Sequence, residues 1–156
     1  MTCTIQLADF EEPALEVFLR AHLADMAPES PKESQHALDM PALRQPGVRL
    51  WVALHERRIA GTCALAVLEP GHEELKSMRT EPEMRGQGIA SQLLNHMLAD
   101  ARARNVRRIS LETGSMGFFA PARALYAKHG FGPCPPFGSY KEDPHSSYMT
   151  RAVTAA

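Results

Sequence analysis

Six apolar residues define the most constrained element of this chain: Ile89, Leu93, Leu94, Met97, Leu98 and Ala101 recur at the spacing that gathers side chains on one face of an α-helix. The spacing predicts a helix from Gly88 onward, closed by Arg102, Arg104 and Asn105, residues that suit the negative end of a helix dipole. Glu74-Leu75-Lys76-Ser77-Met78-Arg79-Thr80 precedes it as a strand and Arg108-Ile109-Ser110-Leu111-Glu112 follows as another. A strand, a crossover helix and a second strand bring the two strands together in parallel.

The first half reads differently. Residues 4–8 alternate as a short strand, and Glu12-Pro13-Ala14 opens a helix running toward His22 that buries Leu15, Phe18, Leu19 and Leu23. Residues 27–39 are broken by Pro28 and Pro31, and Met40-Pro41-Ala42-Leu43 can form a turn of helix. Residues 49–54 and 59–68 read as two strands turned by His55-Glu56-Arg57-Arg58, and Pro70-Gly71 leads into the strand that ends at Thr80. Residues 121–129 form a second helix stopped by Gly130, and Phe131 and Tyr148-Met149 fall in closing strands. The expected class is α+β: one mixed sheet, an antiparallel N-terminal meander, and flanking helices.

With 156 residues, of which 44% are hydrophobic, the chain can bury one core and is expected to be one domain over 1–156. A formal net charge of -1 supplies no basic field for nucleic acid or an anionic membrane. The longest apolar stretch, 59–68, falls short of the roughly 20 residues a membrane helix needs, and the first residues do not read as a signal peptide, so a cytoplasmic protein is expected. Cys3, Cys63 and Cys134 have neither disulfide nor zinc spacing, and the histidines lack metal spacing; free thiols and no metal are expected.

Chemistry concentrates in Glu81-Pro82-Glu83-Met84-Arg85-Gly86-Gln87-Gly88-Ile89-Ala90, between a strand end and the start of the amphipathic helix. Gly86 and Gly88 let the backbone approach a ligand closely, and helix-start amides offer unpaired donors at the positive end of the dipole. Arg85 adds a forked cation suited to a pyrophosphate. No Gly-Lys-Ser/Thr triplet supports a P-loop, and Ser91 stands where a dinucleotide fingerprint needs a third glycine. On the glycines alone, a plain surface loop explains the pattern equally well.

These residues resemble the GNAT superfamily of acyl-CoA-dependent N-acetyltransferases. The family's pyrophosphate motif is matched by Arg85, Gly88 and Ala90, with the apolar helix after it. The late motif Ala-x-x-Leu-Tyr-x-x-x-Gly-Phe is matched by Ala122-Arg123-Ala124-Leu125-Tyr126-Ala127-Lys128-His129-Gly130-Phe131. Ser34-Gln35-His36-Ala37-Leu38-Asp39, Glu112-Thr113-Gly114-Ser115 and residues 140–149 look like a bacterial branch whose substrates are mostly unassigned. One departure is Phe119, where many members carry an Asn that contacts the cofactor arm.

The resemblance implies a GNAT-like fold whose central strands splay, and acetyl-CoA as co-substrate. Its pyrophosphate would lie on Arg85, Gly86, Gln87, Gly88, Ile89, Ala90 and Ser91, and its pantetheine arm beside Met78, Arg79 and Thr80, with the Met78 amide facing the thioester oxygen. The acceptor would be a primary amine of a small molecule or protein, attacking directly in a ternary complex; a homodimer is compatible with the resemblance. Tyr126 alone reads as a packing residue, but its match to the family's Leu-Tyr position makes it the candidate acid for the departing thiolate. An alkylammonium near pKa 10.4 must lose a proton first, and Glu74 is put forward as base ahead of Glu73 and His72, with strict alternation placing Glu74, Lys76 and Met78 on one face. The alternative is a protein that binds acyl-CoA as a sensor without turnover.

Overall fold

The computed structural model describes residues 1–154. Strands β1 (Thr4–Leu7), β2 (Val48–His55), β3 (Arg58–Glu69) and β4 (His72–Thr80) form the expected antiparallel meander. The β2–β3 hairpin closes on Glu56 and Arg57 at φ 51 and 65, a left-handed pair whose twist matches that of the strands. Helix α1 (Pro13–Met26) and the short α2 (Met40–Leu43) separate β1 from β2. After β4 come α3 (Ile89–Ala103), β5 (Arg108–Gly114), α4 (Ala120–Lys128), β6 (Gly132–Pro133) and β7 (Ser146–Ala152). The seven-stranded sheet has the order β1-β2-β3-β4-β5-β7-β6, and β4 and β5 are parallel.

The two sheet faces have separate cores. On one, α3 buries Ile89, Leu93, Leu94, Met97, Leu98 and Ala101, the six residues of the sequence period, against Trp51, Cys63, Leu65 and Leu75. Asn105, at φ 64, ends that helix in the left-handed conformation a C-terminal cap favours. On the other face, Leu15, Phe18 and Leu19 of α1 and Leu43 of α2 cover Leu50, Val52 and Ala64. Phe131 is a correction: it precedes the two-residue β6 and packs in the α3-side core, because Pro133 leaves little strand there to extend.

A second correction concerns β4. Ala64 pairs with Lys76 but Thr62 pairs with Arg79, so Ser77 and Met78 together face Cys63, a β-bulge with Ser77 at φ 53. The Thr62 hydroxyl donates to the Ser77 carbonyl at 2.8 Å and holds it. The extra residue resets the alternation. Glu74 and Lys76 stay on the α1 side, whereas Met78 turns to the α3-side core and Arg79 takes the α1 side, reaching Asp25 at 2.8 Å. Met78 therefore does not share a face with Glu74.

Beyond Leu75↔Leu111 the parallel pair parts: β4 continues along β3 to Thr80, and β5 along β7 to Gly114. Glu73, on the α3 side, receives both arms of the Arg104 guanidinium at 2.9 Å and so clamps the crossover helix to β4. At the far end of β5, a Cβ on Gly114 would lie 2.1 Å from the ring of the buried Phe119. Gly114→Ala must displace that ring, and an overpacking cost of about 1–3 kcal/mol is expected in urea unfolding; an unchanged midpoint would show that the ring moves freely.

Candidate active site

The loop between β4 and α3 is anchored at both ends. Met84 is buried, the Glu81 amide donates to the Ala60 carbonyl at 2.8 Å, and Arg58 reaches Glu83 at 2.8 Å. Between those anchors Arg85, Gly86, Gln87 and Gly88 are exposed. Gly86 and Gly88 adopt φ 77 and 81, and a Cβ on either would meet nothing within 4 Å, so the backbone borders open space. Gly88 caps α3 without any side-chain bond, and the first helical bond runs from Gln92 N to Gly88 O at 3.1 Å. The amides of Ile89, Ala90 and Ser91 precede that bond and have no partner within the helix. These amides, with Arg85 beside them, could hold an anion such as a pyrophosphate.

From Arg85 and Ala90 a cavity of about 630 Å³ runs into the cleft left by the parted strands, between residues 76–80 of β4 and 112–114 of β5. Segment 34–37, Leu125 and Tyr126 of α4, and His22 and Leu23 of α1 also line it. Phe119, in the place where many GNAT members carry Asn, presents a ring to this cavity. A second hollow of about 460 Å³ adjoins it, sharing Ser34 and His36 and walled by residues 139–145.

Tyr126 is buried, packs edge-to-face on Phe131 with centroids 6.0 Å apart, and its hydroxyl has no hydrogen-bond partner among the described residues. Burial above all, and then the neighbouring Cys63 and Glu112, push its phenol pKa up, so it keeps its proton at any working pH. Arg79 spends its guanidinium on Asp25 and on the ring of Phe18, 5.3 Å away, which leaves its backbone for a ligand. His22 is held down to about pKa 4, first by burial and then by the Arg79 charge, and is neutral. Thr80 pairs with Gly61 at the last step of β4, and Met78 borders the cavity at the bulge.

Of the three candidate bases, Glu73 is committed to Arg104 on the α3 side and His72 bonds the Ser110 hydroxyl at 2.7 Å. Glu74 is buried on the α1 side of β4, where one oxygen accepts from the Tyr140 hydroxyl at 2.5 Å and from Lys76 at 3.2 Å. Three residues that the sequence reading did not put forward for the site, Tyr140, His36 and Glu112, lie around it. Tyr140 also receives Lys76 at 3.1 Å and stacks edgewise on His36; Glu112, two positions beyond Ser110 on β5, lines the cavity. Period-two alternation from Ser110, which pairs with Glu74, would have placed Glu112 on this face. No local signal marks Tyr140, 66 residues from Glu74.

The family model for the Acetyltransferase (GNAT) family matches residues 9–131. The chain belongs to the GNAT acetyltransferase family. It is 43% identical over 147 residues to an uncharacterized N-acetyltransferase, YedL, of Escherichia coli (strain K12), covering 94% of this chain and 92% of that protein. A structure from Klebsiella pneumoniae described as an acyl-CoA N-acyltransferase superposes with TM-score 0.81 at 26% identity, over 98% and 99% of the two chains. The PaiA N-acetyltransferase of Thermoplasma acidophilum, solved in complex with coenzyme A, shares the fold at TM-score 0.73 and 16% identity, over 97% and 99%. The GNAT chain is thus an acetyltransferase with the family's seven-stranded mixed sheet, and among its described residues no helix is long and apolar enough to cross a membrane.

Proposed function

We propose that this acetyltransferase moves the acetyl group of acetyl-CoA to a primary amine of a small molecule or protein by direct attack while both substrates are bound. The observation that carries the reading is the loop and helix start at 85–91 opening into one cavity with the parted β4–β5 ends and Tyr126. Acetyl-CoA supplies an acyl group on a good leaving thiol. Arg85 and the amides of Gly86, Gln87, Gly88, Ile89, Ala90 and Ser91 hold its pyrophosphate, and the backbone of Met78, Arg79 and Thr80 aligns the arm in the cleft. The Met78 amide, at the bulge, donates to the thioester oxygen. Tyr126 returns a proton to the departing sulfur. A carboxylate takes the ammonium proton, with Glu74 the candidate from the sequence.

Every residue in this scheme lies on one chain, so it serves a monomer or a homodimer. A cytoplasmic setting accords with three cysteines that are all free thiols. The second reading, an acyl-CoA sensor, draws on Phe119. Acetyl-CoA with a panel of primary amines separates the two: amine-dependent release of free thiol and a product heavier by one acetyl group are expected. Coenzyme A binding with no thiol release across the panel would favour the sensor.

A further inference from the structure

The charged groups along the cavity are mostly paired. Arg79 meets Asp25 at 2.8 Å, and Lys76 meets Glu74 at 3.2 Å. Arg85 stands at the pyrophosphate end. Glu112 differs: it lines the cavity from β5, just past the last paired step of the parted strands, and no cation lies within ion-pair distance of it among the described residues. One bond holds it, from the Ser146 hydroxyl to Oε2 at 2.7 Å, which fixes the carboxylate and leaves Oε1 unbonded. Glu74 has the opposite character. Tyr140 and Lys76 both donate to its Oε2, and it does not itself border the cavity.

Resting on the acyl transfer proposed above, we infer that Glu112 receives the acceptor's ammonium and takes its proton, while Glu74 is a positioning residue that fixes Tyr140 and Lys76. The acceptor class follows. Among the described residues no lysine or arginine lies within ion-pair distance of Glu112, and Lys76 is already paired with Glu74, so a nitrogen seated against Glu112 finds no such partner for a second carboxylate on the neighbouring carbon. The substrate is therefore a cationic primary amine without an adjacent carboxylate. The protons balance: one N–H bond of the ammonium breaks as an O–H bond forms on Glu112. After the C–N bond forms and the C–S bond breaks, the nitrogen sheds its second proton to solvent while Tyr126 protonates the thiolate.

The surroundings make Glu112 a stronger base than a free carboxylate. Burial raises the Glu112 carboxyl pKa, against the Ser146 bond and the positive fields of His36 and Lys76, while Glu74 raises it further. Tyr148 on β7, Tyr140 from the loop before it and Tyr126 on α4 are the other titratable groups that feel its charge. A base acts when ionised, so kcat/KM should rise with pH through the raised Glu112 pKa.

The test compares wild type, Glu112→Gln and Glu74→Gln with phenethylamine and phenylalanine, which share a skeleton but differ in the carboxylate. Gln keeps the Ser146 bond, and thermal melting checks the fold. Glu112→Gln is expected to lower kcat/KM for phenethylamine on the order of 100-fold and to erase the rising pH limb. Glu74→Gln should raise KM and keep the limb, and phenethylamine should exceed phenylalanine by at least about tenfold. An intact limb in Glu112→Gln, or phenylalanine as the better substrate, overturns the inference. Calorimetry of phenethylamine on the coenzyme A-bound protein gives a readout that needs no turnover. Binding at least about tenfold weaker in Glu112→Gln supports the inference even if no thiol is released, which would sink only the catalytic reading; equal binding, or none to wild type, overturns it.

Discussion

Gly88→Asp is expected to weaken coenzyme A binding on the order of 100-fold, the scale of a charge-assisted hydrogen bond lost and replaced by repulsion. Gly88 caps α3 at φ 81, and the amides of Ile89, Ala90 and Ser91 just beyond it have no partner in the helix. A carboxylate there would accept from those amides itself and place negative charge where phosphate belongs. The fold should tolerate the change. A Cβ at Gly88 meets nothing within 4 Å, Asp is among the residues most tolerant of the left-handed region, and an acidic cap suits the helix dipole. Calorimetry on a variant with native melting provides the check; unchanged affinity would move the pyrophosphate away from residues 85–91.

The elements that bury a continuous apolar face were legible in the sequence, because the physics that forms them is local. The six residues of α3 show their period without any partner, and the crossover they imply forces β4 and β5 parallel. The bend of the 85–88 loop was legible too, since its two glycines are close in sequence and both adopt positive φ. Two kinds of feature were hidden. The Ser77 bulge rests on a residue at positive φ and on the distant Thr62 hydroxyl; nothing in Lys76-Ser77-Met78 announces it, yet it turns every later side chain of β4 to the opposite face. The surroundings of Glu74 and Glu112 are assembled from segments far apart in the chain: Ser34 bonds Asp143, Glu74 bonds Tyr140, and Glu112 bonds Ser146. Glu74 was put forward from the sequence as a carboxylate on β4, but its partner Tyr140 could not be read there, and the partner decides whether it is free to take a proton.

Tyr126→Phe is expected to cut kcat on the order of 100-fold with an amine acceptor and to leave stability almost unchanged. The stability half follows from packing. The phenol oxygen has no hydrogen-bond partner among the described residues, so its removal breaks no internal bond, and the edge-to-face contact with Phe131 survives in the variant. The kinetic half follows from the leaving group. A thiolate expelled into a buried cleft gains from a nearby proton, and burial keeps that proton on Tyr126 by raising its pKa above the usual tyrosine value. An acid acts when protonated, so Tyr126 stays active well past neutrality and imposes no falling limb between pH 6 and about pH 10. The rising limb assigned to Glu112 should therefore persist in Tyr126→Phe with its midpoint in place while kcat falls, so the two variants separate acid from base. Single-turnover measurements confirm that chemistry limits the rate; full kcat under that condition would make Tyr126 a packing residue, and water in the cleft would then protonate the thiolate.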